Sequence, residues 1–139
     1  MDEAPQLIHT LLQHLSALFA RESDQILLEQ LGIGFAQYKI LSSVQASPAT
    51  QQKHIAFNLG QTEASISRQI KLLHTRGLLT TRVNPQNKRE HITSLTQKGQ
   101  RLTAAAQEVL QSYQRTSVMH IPPKQQAQLL ELMSQLPSK

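Results

Sequence analysis

The stretch Thr62-Glu-Ala-Ser-Ile-Ser-Arg-Gln-Ile-Lys-Leu-Leu-His-Thr-Arg-Gly-Leu-Leu79 decides how the rest of the chain is read. Ile66, Ile70 and Leu73 recur at helical spacing, so they share one side of a helix running to about Arg76. Thr62 offers its hydroxyl to the first free amides, Glu63 suits the positive end of the helix, and Gly77 stops it. The opposite side shows Ala64, Ser67, Arg68, Lys71 and Thr75, flanked by Glu63 and Ser65. Upstream, Gln51–Leu59 reads as a shorter helix that Thr50 can cap and Gly60 ends. Helix, glycine turn, helix is the helix-turn-helix plan, and Ala56 is small where the two would cross.

Downstream, Leu78–Val83 is β-branched and alternating, Asn84–Glu90 is polar and turn-rich, and His91–Leu95 is again strand-like. Two short strands around a proline-bearing tip read as a hairpin. A basic hairpin directly after a helix-turn-helix is a wing. Thr96 then caps a helix to about Arg115, apolar at Leu102, Ala105, Ala106, Val109, Leu110 and Tyr113. Pro122-Pro123 open a last helix with Leu129, Leu130, Met133 and Leu136 on one face.

Before the core stretch, Gln6 to about Leu31 reads as a long helix striped by Leu7, Leu11, Leu15 and Leu18, and widened by Ile8, Leu12 and Phe19. That is more apolar surface than one small domain needs from a terminal helix. Gly32 and Gly34 break it, and a helix at about Ala36–Gln45 follows, with Tyr38, Leu41 and Val44 inward and Ser47-Pro48 closing it. The expected fold is mainly α with a small β-hairpin wing. One domain spans residues 1–139, its lobe of winged helix-turn-helix type at about 36–97 lying between terminal helices at about 1–31 and 100–139.

The 139 residues are 39% apolar, enough for a single core, and carry a net charge of +5. The excess is local: within Thr62–Arg101 eight cations (Arg68, Lys71, Arg76, Arg82, Lys88, Arg89, Lys98 and Arg101) face only Glu63 and Glu90. A patch of this kind is the electrostatic footprint of a phosphate-backbone binder; on charge alone it could equally be a solvated face. The absence of cysteine excludes disulfides, thiolate metal sites and a cysteine nucleophile. The acidic start is unlike a signal peptide and no run is long enough to span a membrane, so a cytoplasmic location is expected. His9 and His14 do not share a helix face, the other histidines fall in separate elements, and no metal or cofactor is expected. There is no phosphate loop, nucleophile elbow or paired-carboxylate metal motif, so the chain does not read as an enzyme.

On the second helix of the pair, Arg68 can donate bidentately to guanine in a major groove. Ser65, Ser67 and Lys71 suit phosphates, which position without reading sequence. These segments, together with Asn-Pro-Gln-Asn-Lys-Arg89, Ser94-Leu-Thr-Gln-Lys-Gly99 and Gln37-Tyr38-Lys39-Ile40-Leu41, resemble a MarR-family (multiple-antibiotic-resistance type) winged helix-turn-helix regulator, in an order that covers about Leu7 to Leu136. The resemblance implies a homodimer with interlocked terminal helices and recognition helices about 34 Å apart on a pseudo-palindromic operator in double-stranded DNA, more often as a repressor. It places Thr62, Ser65, Ser67, Arg68, Lys71, Arg82, Lys88 and Arg89 on DNA, with Arg89 entering the minor groove. It also implies a small aromatic effector, for which His14, Arg21 and Tyr38 are the candidate lining. The family usually has aspartates where this chain has Asn84 and Asn87, so Asn87 would brace Arg89 without charge assistance and leave a looser wing. The rival reading is a winged helix that serves as a protein-interaction module; the basic recognition face counts against it.

Overall fold

The computed structural model describes residues 2–47 and 51–137. These form six helices and a two-stranded sheet: α1 (Ala4–Leu31), α2 (Phe35–Ala46), α3 (Gln52–Leu59), α4 (Glu63–Thr75), β1 (Leu79–Asn84), β2 (Asn87–Leu95), α5 (Gln97–Ser117) and α6 (Pro123–Ser134). The expected cap Thr50 lies outside the described residues, and Gln51 stands at the N-terminal boundary of α3.

The core lies inside the lobe. Ile33, Ile40, Leu41, Val44, Ile55, Ala56, Ile66, Ile70, Leu73, Leu78 and Leu79 form one buried cluster, which Leu27 of α1 and Ala106 and Leu110 of α5 complete. Helix α2 is its centre, packed by α1, α3, α4, α5 and β2. A helix covered on so many sides must bury a broad face. Ile40 is therefore fully buried, and Tyr38, half-buried, packs inward against the cluster and stacks on Phe35 at 6.4 Å between ring centroids.

Two glycines set the geometry of the helix pair. Gly60 and Gly77 have φ of 64° and 73°, the left-handed region that favours glycine. Around Gly60 the amides of Gly60 and Gln61 return to the carbonyls of Phe57 and Ala56, at 3.2 and 2.9 Å. Around Gly77 those of Gly77 and Leu78 return to His74 and Leu73, both at 2.9 Å. Both are Schellman closures, and at the second the accompanying apolar contact partners, Leu73 and Leu78, are both fully buried.

The terminal helices differ from the lobe. No residue of α1 before Ser23 is buried, and none of α6 is. Leu7, Ile8, Leu11, Leu129, Leu130, Leu132 and Met133 all stand exposed, Leu130 at 71%.

Candidate nucleic-acid interface

Helix α4 is built as its spacing requires. Thr62 Oγ1 accepts the Ser65 amide at 3.1 Å, capping the helix, and the Ser65 hydroxyl donates to Gln61 Oε1 at 3.3 Å. Ile66, Ile70 and Leu73 are buried; Thr62, Ala64, Arg68, Lys71 and Thr75 are exposed, with Ser65 and Ser67 half-buried at the margins. The outward face therefore starts with small residues at the N-terminal end and carries Arg68 and Lys71 about one and two turns in. Leu72, 52% exposed, adds an apolar side chain beside them, and Phe57 of α3 is 85% exposed. Neither stands out in sequence, because an isolated apolar residue in an amphipathic helix reads as core.

The hairpin is longer than its sequence suggests. The turn is only Pro85-Gln86, and Lys88 and Arg89 lie on β2 instead of in a loop of seven residues. The reason is local. Asn84 Oδ1 accepts the Gln86 amide at 3.0 Å and Asn87 Oδ1 accepts the Arg89 amide at 3.2 Å, so both asparagines fold the backbone back on itself. Asn87 thus braces the main chain at Arg89, where the sequence suggested the side chain. Register is regular from Leu79↔Leu95 to Val83↔His91 and then jumps to Asn84↔Asn87. Lys88 and Arg89 fall in that jump, on an irregular segment that bends a strand and re-aims its side chains. Both are exposed, as is Arg82 on β1.

The Leu95-Thr96-Gln97-Lys98-Gly99 segment ties the hairpin to α4. Thr96 Oγ1 caps α5 by accepting the Gly99 amide at 3.0 Å, and its hydroxyl donates to the Gly77 carbonyl at 2.6 Å. The Thr96 amide donates to the Leu78 carbonyl at 3.1 Å, and Lys98 Nζ donates to the Arg76 carbonyl at 3.0 Å, placing a cation at the negative end of α4. A Cβ on Gly99 would lie 2.1 Å from the Leu78 carbonyl oxygen, so only glycine fits there. His74 Nε2 and Thr81 Oγ1, 2.8 Å apart, add a side-chain link between α4 and β1. The cations of helix and wing are thereby held on one lobe.

Residues 31–90 match the family model described as MarR family. Over that stretch, from the end of α1 into β2, the chain is similar to the MarR family. Solved structures with the same fold extend the likeness over nearly the whole chain. The transcriptional repressor CouR, bound to a 23-mer DNA duplex, is 22% identical over 96% of this chain and 94% of its own, with a TM-score of 0.81. A MarR/EmrR-family transcriptional regulator from Acinetobacter sp. ADP1 is 19% identical over 96% and 94%, with a TM-score of 0.79. A MarR-family protein from Mycobacterium tuberculosis, in complex with p-aminosalicylic acid, is 17% identical over 91% and 95%, with a TM-score of 0.77. No curated protein matches the sequence at the same level of significance. The fold is that of MarR-family transcriptional regulators, and no helix among the described residues is long and apolar enough to cross a membrane.

The three residues expected around an effector lie on the first two helices. His14 and Arg21 are exposed on α1, and Tyr38 is half-buried on α2. A groove of about 440 Å³ between α1 and α5 is lined by Ile26, Gln30, Glu108, Val109, Ser112, Tyr113 and Thr116. At its edge the Tyr113 hydroxyl donates to Glu22 Oε2, and burial together with that carboxylate holds the phenol above its ordinary range.

Proposed function

We propose that this protein is a MarR-family regulator: a homodimeric, sequence-specific DNA-binding transcriptional repressor that acts on a pseudo-palindromic operator and has no catalytic activity. The observation that carries the reading is the shared placement of Arg68 and Lys71 on the outward face of α4 and of Arg82, Lys88 and Arg89 on the adjoining wing. Arg68 reads a base edge, Arg89 enters the minor groove, and Thr62, Ser65, Ser67, Lys71, Arg82 and Lys88 hold phosphates. The dimer is supported by the exposed apolar side chains of α1 and α6, an extent of surface that marks an association face. CouR, bound to a DNA duplex in its structure, shares the fold.

A small aromatic effector would release the operator by favouring a dimer spacing that no longer fits it. Its proposed lining is His14, Arg21 and Tyr38. The structure of a MarR-family neighbour holding p-aminosalicylic acid favours this part of the reading.

Selection of bound sequences from a randomised duplex pool, followed by binding to the winner across salt concentrations, tests the proposal. A palindromic winner with a steep salt dependence is the expected result. Binding without sequence enrichment, from protein refolded free of small molecules, would overturn it in favour of a protein-interaction module.

A further inference from the structure

Helix α2 begins without a side-chain cap of its own, because its boundary residue is Gly34. The cap comes from α1. Asp24 Oδ1 accepts the Phe35 amide at 2.9 Å, and a Cβ on Gly34 would lie 3.2 Å from that same oxygen. The carboxylate therefore sits where a capping side chain at residue 34 would reach, at the positive end of the α2 dipole. One turn into α2, Gln37 continues the line. Its Oε1 receives the Gly34 amide and Arg76 Nη1, and its Nε2 donates to Gln69 Oε1, each at 3.4 Å. Gln69 lies on α4 and Arg76 is the residue that closes it, so a polar path runs from α1 through the first turn of α2 to the helix that carries Arg68.

We propose that Asp24 is a positioning residue for DNA binding: it fixes the angle between α1 and the lobe, and so sets where α4 stands. An ordinary cap from residue 34 would stabilise α2 equally but would leave the angle of α1 at Gly32, whose φ is 66°, to apolar packing around Leu27, which resists small rotations less than a directional hydrogen bond does. Borrowing the cap from α1 makes stability of α2 and orientation of the lobe one interaction. The inference rests on the DNA-binding reading for its functional consequence, whereas its structural half stands without it.

Three proteins separate the two roles: Asp24→Ala, the double variant Asp24→Ala with Gly34→Ser, and the unchanged chain. The serine gives α2 its own cap without restoring the tie to α1. Because the chain has no cysteine, Gln13→Cys on α1 and Thr75→Cys on α4, both exposed positions, can take spin labels. Labelled chains diluted into unlabelled protein report the distance from α1 to α4 within one chain in the absence of DNA, and affinities are read on unlabelled chains that keep Gln13 and Thr75. The expected result is a narrow distribution in the unchanged background, a broad one with Asp24→Ala, and a distribution that stays broad in the double variant although its melting temperature recovers. Affinity for the selected operator should fall about ten-fold in both variants, with binding to random duplex unchanged. A double variant that regains the narrow distribution along with its melting temperature would overturn the proposal and leave Asp24 as a cap. So would Asp24→Ala with an unchanged distribution. A broadened distribution in protein that selects no operator would fail the DNA-binding reading while leaving the tie between α1 and α4 standing.

Discussion

Arg68 and Lys71 project from one exposed face of α4, yet they are expected to do different work. Arg68→Ala should weaken operator binding by about 1–3 kcal/mol and relax the preference at one base pair, whereas Lys71→Ala should weaken operator and random duplexes alike and reduce the salt slope by about one. Titrations of both variants against both duplexes check this, and equal losses for Arg68→Ala would remove it from base readout. Gly99 makes the opposite kind of prediction, since it touches nothing outside the protein. Gly99→Ala forces a methyl group against the Leu78 carbonyl and should cost about 2–3 kcal/mol of stability, read by denaturant unfolding. Tyr113 gives a pH test. Its folded pKa is raised, first by burial and then by Glu22, so its contribution is fully present below the ordinary tyrosine pKa and is lost as pH rises through the folded value. Stability should therefore fall above about pH 10, and Tyr113→Phe should flatten that part of the profile.

At the scale of elements, the turns around Gly60 and Gly77 and the caps at Thr62 and Thr96 were legible in sequence, because each is specified by residues within a few positions of one another. The wing was legible as a hairpin but not in its register. Pro85 and its polar neighbours announce a turn, but only folding shows that the Asn84 and Asn87 carboxamides shorten it to two residues and push Lys88 and Arg89 onto β2. The Asp24 cap was illegible for a different reason: glycine at residue 34 hides the usual helix-start signal, and the carboxylate that replaces it lies eleven positions before the Phe35 amide it accepts. Ile40 illustrates a third limit, since how many sides of α2 are covered depends on elements distant in the chain. The asparagine turn yields its own test. Asn87→Ala should leave the melting temperature nearly unchanged, because the tip is exposed, yet reduce operator affinity by about 1 kcal/mol as the backbone at Arg89 loosens. An unchanged affinity would show that Arg89 does not depend on this brace.

The whole molecule divides into a lobe whose core is closed by Leu27 of α1 and by α5, and outer segments, α1 before Ser23 and α6, that contain no buried residue. Leu130→Glu on α6 should therefore leave the lobe folded while weakening association by about 2 kcal/mol, visible as a dissociation midpoint shifted in sedimentation and a melting temperature that depends on protein concentration. A variant sedimenting like the unchanged protein would place the partner face elsewhere. The same division bears on how such a protein can change its target without losing its fold. Thr96, Lys98 and Gly99 buckle the hairpin shut at its base, against Gly77, Arg76 and Leu78, and Thr81 adds a link to His74, so the tip beyond Thr81 is not needed to hold α4 in place. Closing a longer loop between fixed ends costs only about 0.6 kcal/mol for each doubling of its length. The wing tip is thus a place where insertions are thermodynamically cheap, and where the chain can be lengthened, recharged or reshaped while the lobe beneath it stays as it is.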